Sequence, residues 1–413
     1  MKEFFKVTSL EKALEFKESF SKVSTEKVKL NNALGRILAE DIICEINIPD
    51  FARSTMDGFA LSASSTFGAS ESSPGFLIVK GSVEMGKIPE FSVSSCEAAR
   101  IPTGGMLPKG ANSVVMVEHT EEIDESTIEV YKSVAPNQHV IEAGEDLKKG
   151  DCYLFQGQKL RPQEIGLLAA LGIEEITVYK KPKIAIISTG DEVVAIDEIP
   201  KQGQIRDVNS YTLSNLVRQL GAIPVQMGIV KDNFNELLDV CKRAVEESDM
   251  ILISGGSSVG YRDFTIEVIK SLSDSEIFFH GVSIKPGKPT ILASISNKIF
   301  WGLPGHIVSA MIVFQCLVQD FIDHISGLTS NQQKLFTLPA ILNRNLASVQ
   351  GRVDFVRVKL LNENDQIIAE PIIGKSGLIN TMVQADGLIK IGQNVEGLEK
   401  GSKVFVALSS QYY

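Results

Sequence analysis

The chain has 413 residues, 44% of them hydrophobic and 22% charged, which is ordinary for soluble globular protein and enough for about three domains. A formal net charge of -10 with no extended basic run excludes the electrostatic stripe expected of a nucleic-acid or membrane-surface binder. Anionic ligands must therefore be captured by local loops. The five cysteines, Cys44, Cys96, Cys152, Cys241 and Cys316, form no C-x-x-C pair, which removes a zinc ribbon and a disulfide framework and fits a reducing compartment. Lys2, Glu3 and Lys6 interrupt the amino terminus, unlike a signal peptide, and the longest apolar stretch, Ile307 to Val318, is broken by Gln315 and is too short to span a bilayer. A cytoplasmic protein is expected.

Leu10, Leu14 and Phe16 recur at roughly helical spacing behind Thr8-Ser9-Leu10-Glu11, which has the pattern of a capping box. From Ile46 to Val140 the pattern changes to short β-type runs, Phe76–Lys80, Ala99–Ile101, Val114–Glu118 and Thr127–Lys132, separated by Gly, Pro and Ser. Arg161 to Gly172 reads as a short helix with Pro162 near its start and Gly172 at its end, able to pack back on the amino-terminal helix. From Lys183 strands and helices alternate: strand Ile184–Ser188, helix Ser210–Leu220, strand Ile223–Ile229, helix Asn233–Glu247, strand Met250–Ser254 and helix Phe264–Leu272. Strands near Ile277–Phe279, Thr290–Ala293 and Phe300–Trp301 and a long helix Val308–Ile325 follow. This alternation predicts an α/β layer with a mostly parallel sheet, whose ligands bind beyond the carboxyl ends of the strands. Short strands return at Phe336–Ala340, Asp354–Leu360, Gln366–Pro371 and Lys403–Leu408, consistent with a β barrel. The expected organisation is multidomain α/β plus β. A composite amino-terminal domain (1–45 with 141–181) is interrupted by an inserted β domain (46–140), and an α/β domain (182–327) and a carboxyl-terminal β barrel (328–413) follow.

Chemistry concentrates after the α/β strands. Strand Met250–Ser254 runs into Gly255, Gly256, Ser257, Ser258 and Gly260, a turn small enough for backbone N–H groups to converge on phosphate. Asp263 follows, where a carboxylate could hold a divalent cation beside that phosphate. Ser188 to Glu192 forms a second small-residue acidic turn, and Asp232 ends a third strand, so Glu192, Asp232 and Asp263 could converge at one rim. Three carboxylates there repel one another unless cations balance them. Lys285 to Pro289 puts Lys285 and Lys288 on a turn stiffened by two prolines, suited to gripping an anion. Pro304 and Gly305 lead into a helix whose first N–H groups, with Ser309, offer another phosphate cradle. Asn209 fits a helix N-cap.

These motifs, in this order, resemble the molybdopterin molybdenumtransferase family, MoeA and the gephyrin E domain. The resemblance rests on Thr55 to Ala60, the Thr103-Gly104 turn, Ser188 to Glu192, Ser254 to Asp263, Lys285 to Pro289 and Gly302 to Gly305, and on Gly374 to Gly377 with Ala385 to Leu388. It covers nearly the whole chain. It implies insertion of molybdate into the dithiolene of adenylylated molybdopterin with release of AMP, using Mg²⁺, with tungstate as the other candidate oxyanion. Family site residues carry over to Asp57, Thr103, Asp146, Glu192, Asp232, Asp263, Lys285, Ser376 and Arg352. The resemblance further implies a homodimer with Asp57 and Thr103 of one subunit facing the α/β site of the other, and a molybdopterin adenylyltransferase and apo molybdoenzymes as partners.

The chain departs from the family pattern at three places. His280 stands where many members have lysine, His306-Ile307 replaces a frequent Asn-Pro, and Asn112 replaces a common aspartate. The histidines bear on how pterin or oxyanion is gripped. Two other functions compete. An adenylyltransferase shares a similar α/β domain but lacks the flanking β domain and barrel, and a non-catalytic pterin-binding scaffold would use the same acids only as supports.

Overall fold

The computed structural model describes residues 7–255, 264–329 and 337–408. It divides into two compact units, one made of Met1–Glu40, Gln156–Arg161 and Glu175–Tyr413, the other of Asp41–Phe155 and Pro162–Glu174.

In the first unit a six-stranded sheet runs in the order Ile223–Val230, Lys183–Thr189, Met250–Ser254, Lys298–Leu303, Ile291–Ile295, Ser275–His280. The first four strands are parallel. Lys183–Thr189 and Met250–Ser254 are buried almost end to end, which is why they read as continuous apolar runs rather than alternating ones. The last two strands are antiparallel. The cause is local: Ser296 and Asn297 both take positive φ, giving a two-residue hairpin turn that folds Ile291–Ile295 back on its neighbour.

Side-chain alternation divides the core between the two faces of the sheet. Ile184, Ile186, Leu252 and Trp301 pack with Leu213 and Val217 of helix Asn209–Gln219 and with Phe321. Ala185, Ile187, Ile251 and Phe300 pack with Leu237 and Cys241 of helix Phe234–Glu247 and with Val268 of helix Phe264–Ser271. The amino-terminal helix Leu10–Glu15 starts at Ser9, whose hydroxyl accepts from Lys12 N at 3.2 Å, as its sequence suggests. It joins the first of these cores, and beyond it Phe16 stacks on Phe278 with ring centroids 4.8 Å apart.

A continuous helical run from Ile307 to Ile325 contains a π-helical turn at Phe314–Val318, flanked by Ile307–Val313 and Gln319–Ile325. At 19 residues it is longer than the apolar stretch visible in the sequence, and it meets the length and composition of a bilayer span. With 67% of its most apolar window buried, it serves here as a core helix.

Beyond it, Val353–Glu363, Gln366–Pro371, Thr337–Leu342, Lys403–Leu408 and Gly387–Ile391 pair in succession, and the last pairs back on the first. The result is a closed five-stranded barrel around Ala340, Val358, Ile389 and Val406. Closure leaves no strand edge within the ring, and it requires the 11-residue strand Val353–Glu363 to pair with two neighbours at once.

The second unit carries a mixed six-stranded sheet ordered Ser113–Met116, Gly58–Leu61, Glu97–Ile101, Gly75–Ser82, Thr127–Val130, Thr120–Asp124. Phe59, Leu61, Leu77, Val115 and Ile128 form its core. Helix Pro162–Ala170 also belongs to this unit.

Candidate active site

Parallel register lines up the carboxyl ends of the α/β strands: Ser188 opposite Ser254, Ser254 opposite Leu303, and Thr189 opposite Val230. The segments that follow these ends therefore open into one crevice, the usual ligand position in such sheets. Gly255 has φ of 110°, and a Cβ there would overlap the carbonyl oxygen of Thr189. Its N–H donates to Leu303 O at 3.2 Å, and Gly305 packs directly on it. Three strand ends meet at this glycine because it lacks a side chain.

The crevice is a cavity of about 1160 Å³. Glu192, Asp232, Gly255, Lys285, Lys288, Pro304, Gly305, Ser309, Arg352 and Ser376 all line it, bringing together positions up to 184 residues apart in the chain. Gly256, Ser257, Ser258, Gly260 and Asp263 lie outside the described residues. Among the described residues no group of three or more His, Cys, Asp or Glu is arranged to hold a metal ion, and the acids lining the cavity are Glu192, Asp232 and the buried Asp207.

Asp232 accepts from Thr189 Oγ1 at 3.2 Å, and its N–H donates to Asp191 Oδ1 at 3.2 Å. Lys231 donates through Nζ to the carbonyls of Asp191 (3.1 Å) and Val193 (2.8 Å), pinning the loop that carries Glu192. The cationic wall is built differently. Ile284–Lys285 pairs with the start of the long barrel strand, Lys285 opposite Asp354, so the barrel fixes the lysine turn. Lys285 and Lys288 are exposed and, among the described residues, form no ion pair. Arg352 pairs with buried Asp354, Nε to Oδ1 at 2.8 Å. That carboxylate aims the guanidinium and neutralises part of its charge.

Beneath the crevice lies a polar cluster that residue patterns do not expose. Ser188 Oγ donates to Asp207 Oδ1 at 2.8 Å and lies 2.8 Å from Ser210 Oγ and 3.3 Å from Ser254 Oγ. All four side chains are buried. Asp207 Oδ1 also accepts from Ser210 N at 3.0 Å, so Asp207 does the capping that the sequence pattern places on Asn209. Asn209 is already helical, and its Nδ2 donates to Gly305 O at 2.9 Å, tying this helix to the Pro304-Gly305 turn. The sequence signal is Asp207 three residues before Ser210, the N-cap spacing, two residues ahead of Asn209.

In the second unit the structure joins Asp57 and Thr103. Thr103 N donates to Asp57 Oδ1 at 2.6 Å, and this bond holds the carboxyl below its ordinary pKa by stabilising the charged form. Gly58 follows because a Cβ there would overlap the Val115 carbonyl oxygen. Asp146 lies in an exposed bend, its N–H donating to Ile48 O at 3.1 Å. Asn112, one of the departures, supports the fold through its Oδ1, which accepts from Ala63 N at 2.8 Å. His280 ends the antiparallel edge strand opposite Ile291.

Three family profiles match in succession: the MoeA N-terminal region (domain I and II) over residues 8–172, the probable molybdopterin binding domain over 185–324 and the MoeA C-terminal region (domain IV) over 339–408. The chain belongs to the MoeA family. A Methanocaldococcus jannaschii relative with a molybdopterin-biosynthesis name is 42% identical, covering 96% of this chain and 95% of the relative. The molybdopterin molybdenumtransferase of Haemophilus influenzae is 36% identical over 92% of this chain and 93% of its own. A crystal structure of the molybdopterin biosynthesis MoeA protein from Pyrococcus horikoshii superposes with a TM-score of 0.81 at 39% identity, covering 98% of this chain and all of that one. The boundary between the molybdopterin-binding profile and the MoeA C-terminal profile falls between the long helix and the barrel. Both flanking regions contribute walls to the cavity.

Proposed function

We propose that this MoeA-family chain is a molybdopterin molybdenumtransferase that inserts molybdate into adenylylated molybdopterin and releases AMP. The observation that carries the reading is a single cavity in which Lys285, Lys288, Arg352 and Ser376 stand with Glu192 and Asp232 beyond the strand ends. A pyrophosphate-linked pterin nucleotide needs cations and backbone donors, and attack at phosphorus develops charge that fixed cations stabilise. The volume is of the size that encloses a nucleotide-scale ligand.

Glu192 and Asp232 suit Mg²⁺, because a hard cation takes oxygen ligands and commonly uses one or two carboxylates together with substrate phosphates. When bound, it would neutralise phosphate charge. Asp57 and Asp263 are proposed as further catalytic acids, Asp263 also as a ligand of the metal. Thr103, Asp146 and the Gly255 turn are proposed to hold the pterin nucleotide. A homodimer follows from the resemblance, and light scattering in solution checks it.

The test supplies purified protein with adenylylated molybdopterin, Mg²⁺ and molybdate, then measures AMP and activation of an apo molybdoenzyme. Both products are expected. Formation of adenylylated molybdopterin and pyrophosphate from ATP and unmodified molybdopterin would instead favour an adenylyltransferase, and tight pterin binding with no turnover would favour a scaffold.

A further inference from the structure

Ser376 is gripped from two sides. On the barrel side, buried Arg357 donates to Gly374 O at 2.9 Å and to Thr381 Oγ1 at 2.8 Å, fixing the loop that carries the serine. On the α/β side, Val308 N donates to Ser376 O at 3.0 Å, and His306 Nδ1 lies 2.8 Å from Ser376 Oγ. His306 and Ser376 both line the cavity beside the cationic wall. The histidine thus occupies the place of a family asparagine and holds a side chain of the ligand site.

The direction of that one hydrogen bond decides what Ser376 can offer. With Nδ1 unprotonated, the serine hydroxyl must donate to the ring, and Oγ presents only lone pairs to the cavity. With Nδ1 protonated, the ring donates to Oγ, and the hydroxyl hydrogen is released toward a ligand. An oxyanion has only acceptor oxygens, so it is compatible with the second arrangement. The neutral Nδ1–H tautomer and the imidazolium both supply it. The other charged side chains lining the cavity are Glu192, Asp207, Asp232, Arg206, Lys285, Lys288 and Arg352.

We infer that His306 is a positioning residue that turns Ser376 into a hydrogen-bond donor toward a tetrahedral oxyanion. The inference rests on the proposal that the cavity takes molybdate or tungstate. An asparagine at the same position could make a similar donation through its amide, so His306→Asn serves as the conservative variant.

The experiment titrates full-length protein with molybdate and with tungstate by calorimetry, using wild type, His306→Ala, His306→Asn, Ser376→Ala and the double alanine variant. His306→Ala is expected to weaken oxyanion binding about tenfold, the effect of losing one hydrogen bond to a charged group. His306→Asn should restore affinity to within about threefold of wild type. In the Ser376→Ala background, His306→Ala should cost nothing further, because the histidine acts through the serine. Nitrogen-15 spectra of histidine-labelled protein, with His306→Asn for assignment, should show Nδ1 protonated at saturation. Unaltered affinity in His306→Ala at unchanged melting temperature, a full additional loss in the double variant, or an unprotonated Nδ1 in the saturated protein would each overturn the role of His306. Wild-type protein that binds neither oxyanion would overturn the cavity reading itself.

Discussion

The α/β layer of the first unit and the β sheet of the second present acidic residues by different means. In the layer, Glu192 follows the buried strand Lys183–Thr189 and Asp232 the edge strand registered on it, Ile223–Val230, so distant sequence segments arrive at one cavity. In the second unit, Asp57 is exposed and held by a backbone donor across a turn, Thr103 N at 2.6 Å. The layer positions its groups through strand register, the second unit through a local hydrogen bond. Core positioning is costly to disturb and tolerant of pH, whereas a carboxylate held by one N–H is cheap to disturb and pH-sensitive.

The strongest test of this contrast is Trp301→Ala. Trp301 is fully buried in the strand leading to Pro304, in edge contact with Phe279 (6.0 Å) and Phe321 (5.0 Å). Its truncation is expected to destabilise the first unit by about 3–5 kcal/mol, measured by urea unfolding, and to loosen the cavity with it. A loss below about 1 kcal/mol would deny the core its positioning role. Next comes Lys288→Ala, which removes a cation from the wall while leaving the core intact. AMP release should fall about 10²- to 10³-fold with an unchanged melting temperature. An unchanged rate would move the charge stabilisation to Lys285 and Arg352.

The smallest effect belongs to the second unit. Asp57→Asn keeps an oxygen acceptor for Thr103 N and removes the charge. Because the folded pKa of Asp57 lies below the ordinary 3.8, its contribution to stability is present above 3.8 and is lost as pH falls through the lowered folded value. The difference between wild-type and variant unfolding midpoints should therefore be flat at neutral pH and shrink only below that range. A difference that grew on acidification would reverse the assigned sign.

Much of this is legible in the sequence alone. The strand Met250–Ser254 is readable because a strand buried on both faces shows an apolar run, here Met250 to Ile253 ending at the small Ser254, and Lys285 to Pro289 is readable because prolines and lysines rarely combine in an idle turn. The hairpin at Ser296-Asn297 is harder to read, since neither residue is glycine although both take positive φ. The capping of Ser210 N by Asp207 leaves a local spacing, but the core role of Asp207 escapes a local reading because its partner Ser188, itself 3.3 Å from Ser254 Oγ, comes from a distant strand. The bond between His306 and Ser376 spans 70 residues and two folding layers, so no local pattern could contain it.

By itself, the sequence determined the alternation of strands and helices, the glycine at the crowded strand end and the chemical inventory of acids, lysines and small turns. These are consequences of burial period, backbone sterics and side-chain chemistry, all local properties. Tertiary structure alone decided which of those groups share a cavity and which face of a hydroxyl or imidazole a ligand meets. Register between strands and closure of the barrel fix those distances, and both arise from pairings between segments that sequence order leaves far apart.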